Sequence, residues 1–306
     1  MSTSNGPRPT SSGVPVGLIN RSRDLLDWHL DQSTQLLEGI FRENRPIIPS
    51  WIFKETDTQS SDHRYHLRKL FKRSLATATL HHNTLIDHTR SIRKLITVPP
   101  LPHWSPMSLA RVTIESGMRA RYLTDPDVSA MELALRGAAS QMEGLQEQSK
   151  LARHFDSSIE QRLSKATART LKALTRAGIE VVYHKNSVSH VKRRNESLQV
   201  PCKPNITELA QKWLANAPGL YGVASGSVHA AFWLTATSID FSTEEPSIKA
   251  DSDILLSSVL APCFSLQAVT TGVYQLHRLD ISEFQKKSNE IITNAVVEFQ
   301  AWKGLQ

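Results

Sequence analysis

Leucine and isoleucine recur every three or four residues through most of this chain, and that helical period limits its fold more than any other feature. From about Leu18 to Phe41 the stripe is Leu25, Leu26, Leu30, Leu36, Leu37 and Ile40. The Pro46-Ile-Ile-Pro49-Ser-Trp51 stretch breaks it, and a long helix is predicted from about Asp62 to Ile96. The proline-rich crossing Val98–Pro106 delivers the chain to a helix beginning at Met107, which Asp125-Pro126 closes. Further helices are predicted from Ser129 to Phe155, from Ser158 to Ala177 with Gly178 as C-cap, and from an Asn205-x-x-Glu208 capping box. Three more cover 219–240, 252–279 and Ile281 to Trp302, with Asp251-Ser-Asp253 as an N-cap. Ile179–Tyr183 and His190-Val-Lys are the β-like runs, enough for one small hairpin. The expected fold is therefore all-α: an up-and-down bundle with a disordered tail over 1–16 and a single domain over 17–306. Basic N-terminal helices (about 17–97) would decorate a core (about 107–306) built on Phe232, Trp233, Leu234, Ile239, Leu255, Leu256, Val259, Leu260, Phe264, Leu266, Val269, Val273 and Leu276.

Two helical segments carry polar side chains inside small, apolar sequence. In the first, Arg111, Glu115 and Arg119 recur every four residues, with Tyr122 beside them, so the acid lies between two cations. A solvent-facing row would be an ordinary ion-pair ladder of about 0.2–0.5 kcal/mol per pair. The flanking Leu109, Val112, Ile114, Met118 and Leu123 leave little of the circumference for water, so an embedded acid held by two arginines is the sharper reading. In the second, Tyr221, Ser225 and His229 share a stripe among Gly222, Ala224, Gly226 and Ala230, small residues that admit a neighbouring helix. The two segments are expected to be neighbours. Glu115 and His229 are then the candidate acid–base pair, and Arg111, Arg119, Tyr122, Tyr221 and Ser225 the candidate ligand-binding residues.

The pattern Arg-x-x-x-Glu-x-x-x-Arg-x-Arg-Tyr-Leu-x-Asp-Pro over 111–126, followed by Tyr-x-x-x-Ser-x-x-x-His over 221–229, resembles uncharacterised bacterial helical proteins of the domain-of-unknown-function type. Those are similar to HEPN-type helical bundles, many of which act on RNA. The resemblance covers about a tenth of the chain and implies a helical scaffold. Active ribonucleases of that class place an arginine four to six residues before a histidine on one helix. Here the segment ending at His229 has no arginine, so the ribonuclease motif does not carry over.

A formal net charge of +7 favours an acidic partner. From Ser61 to Leu95, Arg64, Arg68, Lys69, Lys72, Arg73, Arg90, Arg93 and Lys94 stand against Asp62 and Asp87. Arg64, Arg68 and Lys72 form one ridge on a helix, the candidate nucleic-acid contact. A second basic cluster, Lys185 to Lys203, reads as a solvated loop or hairpin. His63, His66, His81, His82 and His88 crowd the same long helix, but no Glu-x-x-His or His-Glu-x-x-His pairing occurs, so no metal or cofactor is implied. Phosphate-loop, Gly-x-Ser-x-Gly and paired-cysteine motifs are missing as well. No apolar run is expected to approach the ~20 residues that span a bilayer. The N-terminal segment lacks an apolar signal core, and the separated Cys202 and Cys263 fit a cytoplasmic setting. The partners to test are a nucleic acid or a small anionic ligand, and a second copy of the chain. The leading expectation is a HEPN-like binding or regulatory protein in contact with RNA or DNA. The alternative is a small-molecule enzyme with an Arg/Glu/Tyr/His pocket between two core helices.

Overall fold

The computed structural model describes residues 14–42, 48–57, 61–98, 101–102, 104–152, 154, 157–229, 239–240, 247–248 and 252–303. Helices dominate: α1 (Val16–Arg42), α2 (Ser50–Thr56), α3 (Ser61–Leu95), α4 (Ser105–Leu123), α5 (Ala130–Ala152), α6 (Ser157–Arg176), α7 (Ile206–Trp213), α8 (Leu220–Val228), α9 (Ser252–Leu276) and α10 (Ser282–Lys303). The fold is mostly all-α, as the periodicity predicts. The β content exceeds one hairpin. Strands β1 (Ile179–His184), β2 (Ser187–Arg193) and β3 (Gln199–Pro201) make an antiparallel sheet, and β4 (Ile239–Asp240) pairs with β5 (Ser247–Ile248). Lys185 and Asn186, both at positive φ, form the two-residue turn between β1 and β2. Gly178, at φ +72°, ends α6 as expected.

Backbone contacts divide the chain into two compact units, neither continuous in sequence. Unit 1 comprises Met1–Ile40, His81–Met118 and Ile206–Gln306; unit 2 comprises Phe41–Leu80 and Arg119–Asn205. Helices α3 and α4 each contribute to both.

In unit 1, Leu25 and Leu26 of α1, Ile92 of α3, Ile114 of α4, and Val259, Leu260 and Phe264 of α9 share one buried core. The N-terminal helices are therefore part of this core and not a decoration. Val14, expected in the tail, is already buried there, while residues 1–13 lie outside the described residues. Of the expected core, Phe232, Trp233 and Leu234 and the side chain of Ile239 also lie outside them; Leu256 and Val273 are half-buried and the rest of the α9 set is buried. By length and composition α9 is apolar enough to cross a membrane, contrary to expectation, since its serines and threonines do not break the apolar stretch. Some 78% of its most apolar window is buried inside the fold, the pattern of a central core helix. Gly117 lets α4 approach α9 closely: a Cβ built there would lie 2.7 Å from Ser265 Cβ.

Unit 2 repeats this device. A Cβ on Gly137 of α5 would lie 2.6 Å from Ser74 Cβ on α3. The sheet packs on α5, with the row Val181, Val191 and Val200 set in register across its three strands. Helix α6 buries Leu174 and half-buries Leu171 in the same core, and Ala177, just past its end, is buried there too.

Candidate functional site

Helix α4 presents Arg111 and Glu115 one turn apart, and in unit 1 α8 lies beside them, as expected. Arg111 Nε donates to Glu115 Oε1 at 2.8 Å, and Tyr221 Oη donates to the same oxygen at 3.1 Å. Arg111 Nη1 meets His229 Nε2 at 3.1 Å. A guanidinium has no acceptor, so Nε2 is the accepting nitrogen of this contact. The four side chains thus form a chain of hydrogen bonds, His229–Arg111–Glu115–Tyr221. Its hydrogen bond to Glu115, and the carboxylate's charge, hold Arg111 more firmly protonated. Burial, then the Glu115 charge, push the Tyr221 phenol above its ordinary value. Arg111 and Glu115 are 22% and 34% exposed and His229 is exposed, so the group sits at a solvent-reached rim. Ser225 joins only through its carbonyl, which accepts the His229 N–H at 3.2 Å. Chemically, this rim can offer an anion a guanidinium and a phenol. A proton can pass only once His229 leaves Arg111, because the lone pair that would take it is occupied.

Arg119 and Tyr122 do not belong to this group. Eight residues at 100° place Arg119 about 80° around the helix from Arg111. There, in unit 2, it makes a forked pair with Glu143 of α5, at 2.8 and 3.2 Å. Tyr122 is buried with the Arg136 guanidinium 4.1 Å from its ring centroid. Around that pair lies a charged network that sequence reasoning missed. Asp125, fully buried, meets Arg136 at 3.2 Å and Arg121 at 3.8 Å; Arg136 also bonds Glu132 at 2.6 Å and the Tyr122 carbonyl at 2.8 Å. An arginine inside Leu133-Ala-Leu-Arg136-Gly-Ala-Ala was the available signal. The network fastens the end of α4 to α5.

The Arg64/Arg68/Lys72 ridge is partly neutralised. Helix α2, unread in the sequence because prolines precede it, brings Asp57 to Arg64 at 3.4 Å and to Arg68 at 2.8 Å. Arg68 also lies over the Phe53 ring. Lys69 and Lys72 have no ion pair among the described residues, and Lys72 is exposed. In the hairpin cluster, Lys192 and Arg194 share Glu180, and Arg193 pairs with Glu196. Among the described residues no group of three His, Cys, Asp or Glu side chains is arranged to hold a metal. A groove of about 660 Å³ in unit 1 runs between α1 and α3, lined by Asp27, Asp31, Arg90, Arg93 and Lys94. Arg93 Nη2 bonds Asp27 across it at 2.8 Å. No family model, curated protein or solved structure matches this chain.

Proposed function

We propose that this protein is a helical binding or regulatory protein, a HEPN-like scaffold without the ribonuclease motif, that contacts the phosphate backbone of nucleic acid through unit 2. The observation that carries this reading is the partition of charge. Unit 2 holds 23 Lys and Arg against 13 Asp and Glu, a net +10, whereas unit 1 holds 13 against 16, a net −3; together they make the chain's +7. Such asymmetry favours a polyanionic partner for one unit only. Both cysteines are buried and free, which accords with a cytoplasmic setting. The test is the affinity of the purified protein for a mixed RNA and DNA pool across a salt series. Binding that weakens steeply with salt supports the reading. Absence of binding at low salt overturns it.

A second reading has its own support. Arg111, Glu115, Tyr221 and His229, drawn from separate stretches of sequence, converge in unit 1. In an enzyme, Arg111 would hold a small anion and His229, released from it, would take the proton. Titration with inorganic phosphate, followed at the His229 ring by NMR, tests this: no response discards the site.

A further inference from the structure

Helix α6 carries Arg162, Lys165, Arg169, Lys172 and Arg176, spaced three, four, three and four apart. At 100° per residue they fall within an arc of about 80° and extend for about 21 Å along the axis. All five are exposed, and none has an ion-pair partner among the described residues. That sets them apart from Arg64, Arg68, Arg119, Arg121, Arg136, Arg193 and Arg194 of unit 2, which all meet carboxylates. Of the other cations on α3 in that unit, Arg73 bonds Gln141, and Lys69 and Lys72 stand without an ion pair among the described residues, but they form no comparable row. The one acid on α6, Glu160, projects about 160° away from Arg162.

The neighbours of the stripe narrow its partner. Gln161 and Ser164, both exposed, lie along one side of it and supply neutral donors of the kind that phosphate oxygens accept, while the Thr175 hydroxyl beside them donates to the Leu171 carbonyl at 3.0 Å. The opposite face is used by the fold: Leu174 is buried, and Thr170 Oγ1 accepts from Gln141 Nε2 of α5 at 3.1 Å. No large apolar side chain stands exposed on α6 to enter a lipid interface. It has no aromatic residue on which unpaired bases could stack.

Resting on the nucleic-acid reading above, we propose that the α6 stripe is the principal phosphate-binding surface and that it lies along a nucleic-acid duplex, meeting phosphates of both strands without reading the sequence. With both strands counted, a duplex carries about one phosphate per 1.7 Å of axis, so about 21 Å of it holds about twelve phosphates, enough for five contacts shared between the two strands. Each contact contributes about −0.9 to the slope of log affinity against log salt, so the stripe supplies a slope of about −4.5.

The experiment measures anisotropy of labelled DNA and RNA duplexes across a salt series. It uses the full chain, a Lys165→Gln/Arg169→Gln/Lys172→Gln variant, and an Arg64→Gln/Arg68→Gln/Lys72→Gln variant. Glutamine keeps helix propensity, and circular dichroism checks the fold. The expected result is that the α6 variant loses about 2.7 from the slope and on the order of a hundredfold in affinity at about 0.1 M salt, while the α3 variant loses less. If the α6 variant misfolds, Arg162→Gln/Arg176→Gln at the helix ends takes its place, with an expected slope change of about 1.8. Duplex binding that is indifferent to α6 overturns this proposal and leaves the nucleic-acid reading standing. Failure of the wild type to bind any nucleic acid overturns both. Binding to anionic phospholipid vesicles without duplex binding also overturns both and makes α6 a membrane-facing surface.

Discussion

His29 makes the stability of unit 1 depend on pH in a way that can be worked out from its surroundings. The ring is fully buried on α1. Its Nδ1–H donates to the Leu25 carbonyl at 2.8 Å, which leaves Nε2 to accept the Ser288 hydroxyl at 2.8 Å. Burial pushes its pKa down from 6.5 to about 4, against the Leu25 bond, which favours the charged form. Above about pH 6.5 the ring is neutral in both folded and unfolded chains. Between there and about pH 4 the unfolded chain binds a proton that the folded chain does not. Stability therefore rises with pH across this window, is fully present above 6.5, and is lost as pH falls. At about 1.4 kcal/mol per unit, the loss by pH 4 is about 3 kcal/mol. The perturbation is His29→Gln, which cannot titrate. Urea unfolding of both proteins is followed by far-UV circular dichroism, because Trp28 lies 4.8 Å from the ring and its fluorescence would respond to the proton itself. The carboxylates and the half-buried His82, whose pKa burial also lowers to about 4, titrate in both proteins and cancel in the difference. Near pH 7 the variant is less stable, having lost two buried hydrogen bonds. On acidification the gap closes by about 3 kcal/mol. A difference that stays constant from about pH 7 to pH 4 refutes the reasoning, since it would mean that His29 is already protonated, or already solvated, in the folded protein.

Gly117→Ala and Gly137→Ala should each cost about 1–3 kcal/mol in a thermal or urea melt, because the new methyl meets a serine Cβ under 3 Å away on the facing helix. Gly144→Ala, with nothing within 4 Å, should stabilise α5 by up to about 1 kcal/mol in the same assay. Asp125→Asn should destabilise by about 3 kcal/mol in denaturant, since Arg121 and Arg136 stay buried without their shared carboxylate; a loss below about 1 kcal/mol would show that Glu132 suffices. Glu115→Gln removes the charge that helps raise the Tyr221 phenol, so its titration by ultraviolet absorbance should move down from the wild-type position. A Tyr221 titration unchanged in this variant would mean that burial alone sets it.

The long helices were legible because their stripes are long: α1 and α3 begin and end within about two residues of where Leu18, Phe41, Asp62 and Ile96 place them. The seven-residue α2 was not, since Pro46 and Pro49 read as a break, and with it went Asp57, which alters the Arg64/Arg68 ridge. Arg119 was grouped with Arg111 by counting in fours, a rule that drifts about 40° per step and over two steps moves a side chain onto the flank of its helix. The α6 stripe lies in plain view at a 3-4-3-4 spacing, yet windows of net charge led to two other clusters, where Arg64, Arg68, Lys192, Arg193 and Arg194 all meet acids. The division into a basic and an acidic unit was only partly within reach: residues 119–205 and 206–306 are continuous stretches of one unit each and differ in the sign of their charge, but the first 118 residues alternate between the units.

That interleaving also orders events at the ribosome. Unit 2 has all of its chain once Asn205 has emerged, but unit 1 has only α1 and the segments around α3 and α4. Leu25 and Leu26 of α1 must wait for α9 and α10, roughly 230–280 residues later, or about 10–55 s at ordinary synthesis rates. For that interval the first helix made is an unsheltered greasy surface on a nascent chain, which makes it the natural foothold for a chaperone. A release of the chain before its last hundred residues should yield a folded unit 2 tethered to a sticky, protease-sensitive leader.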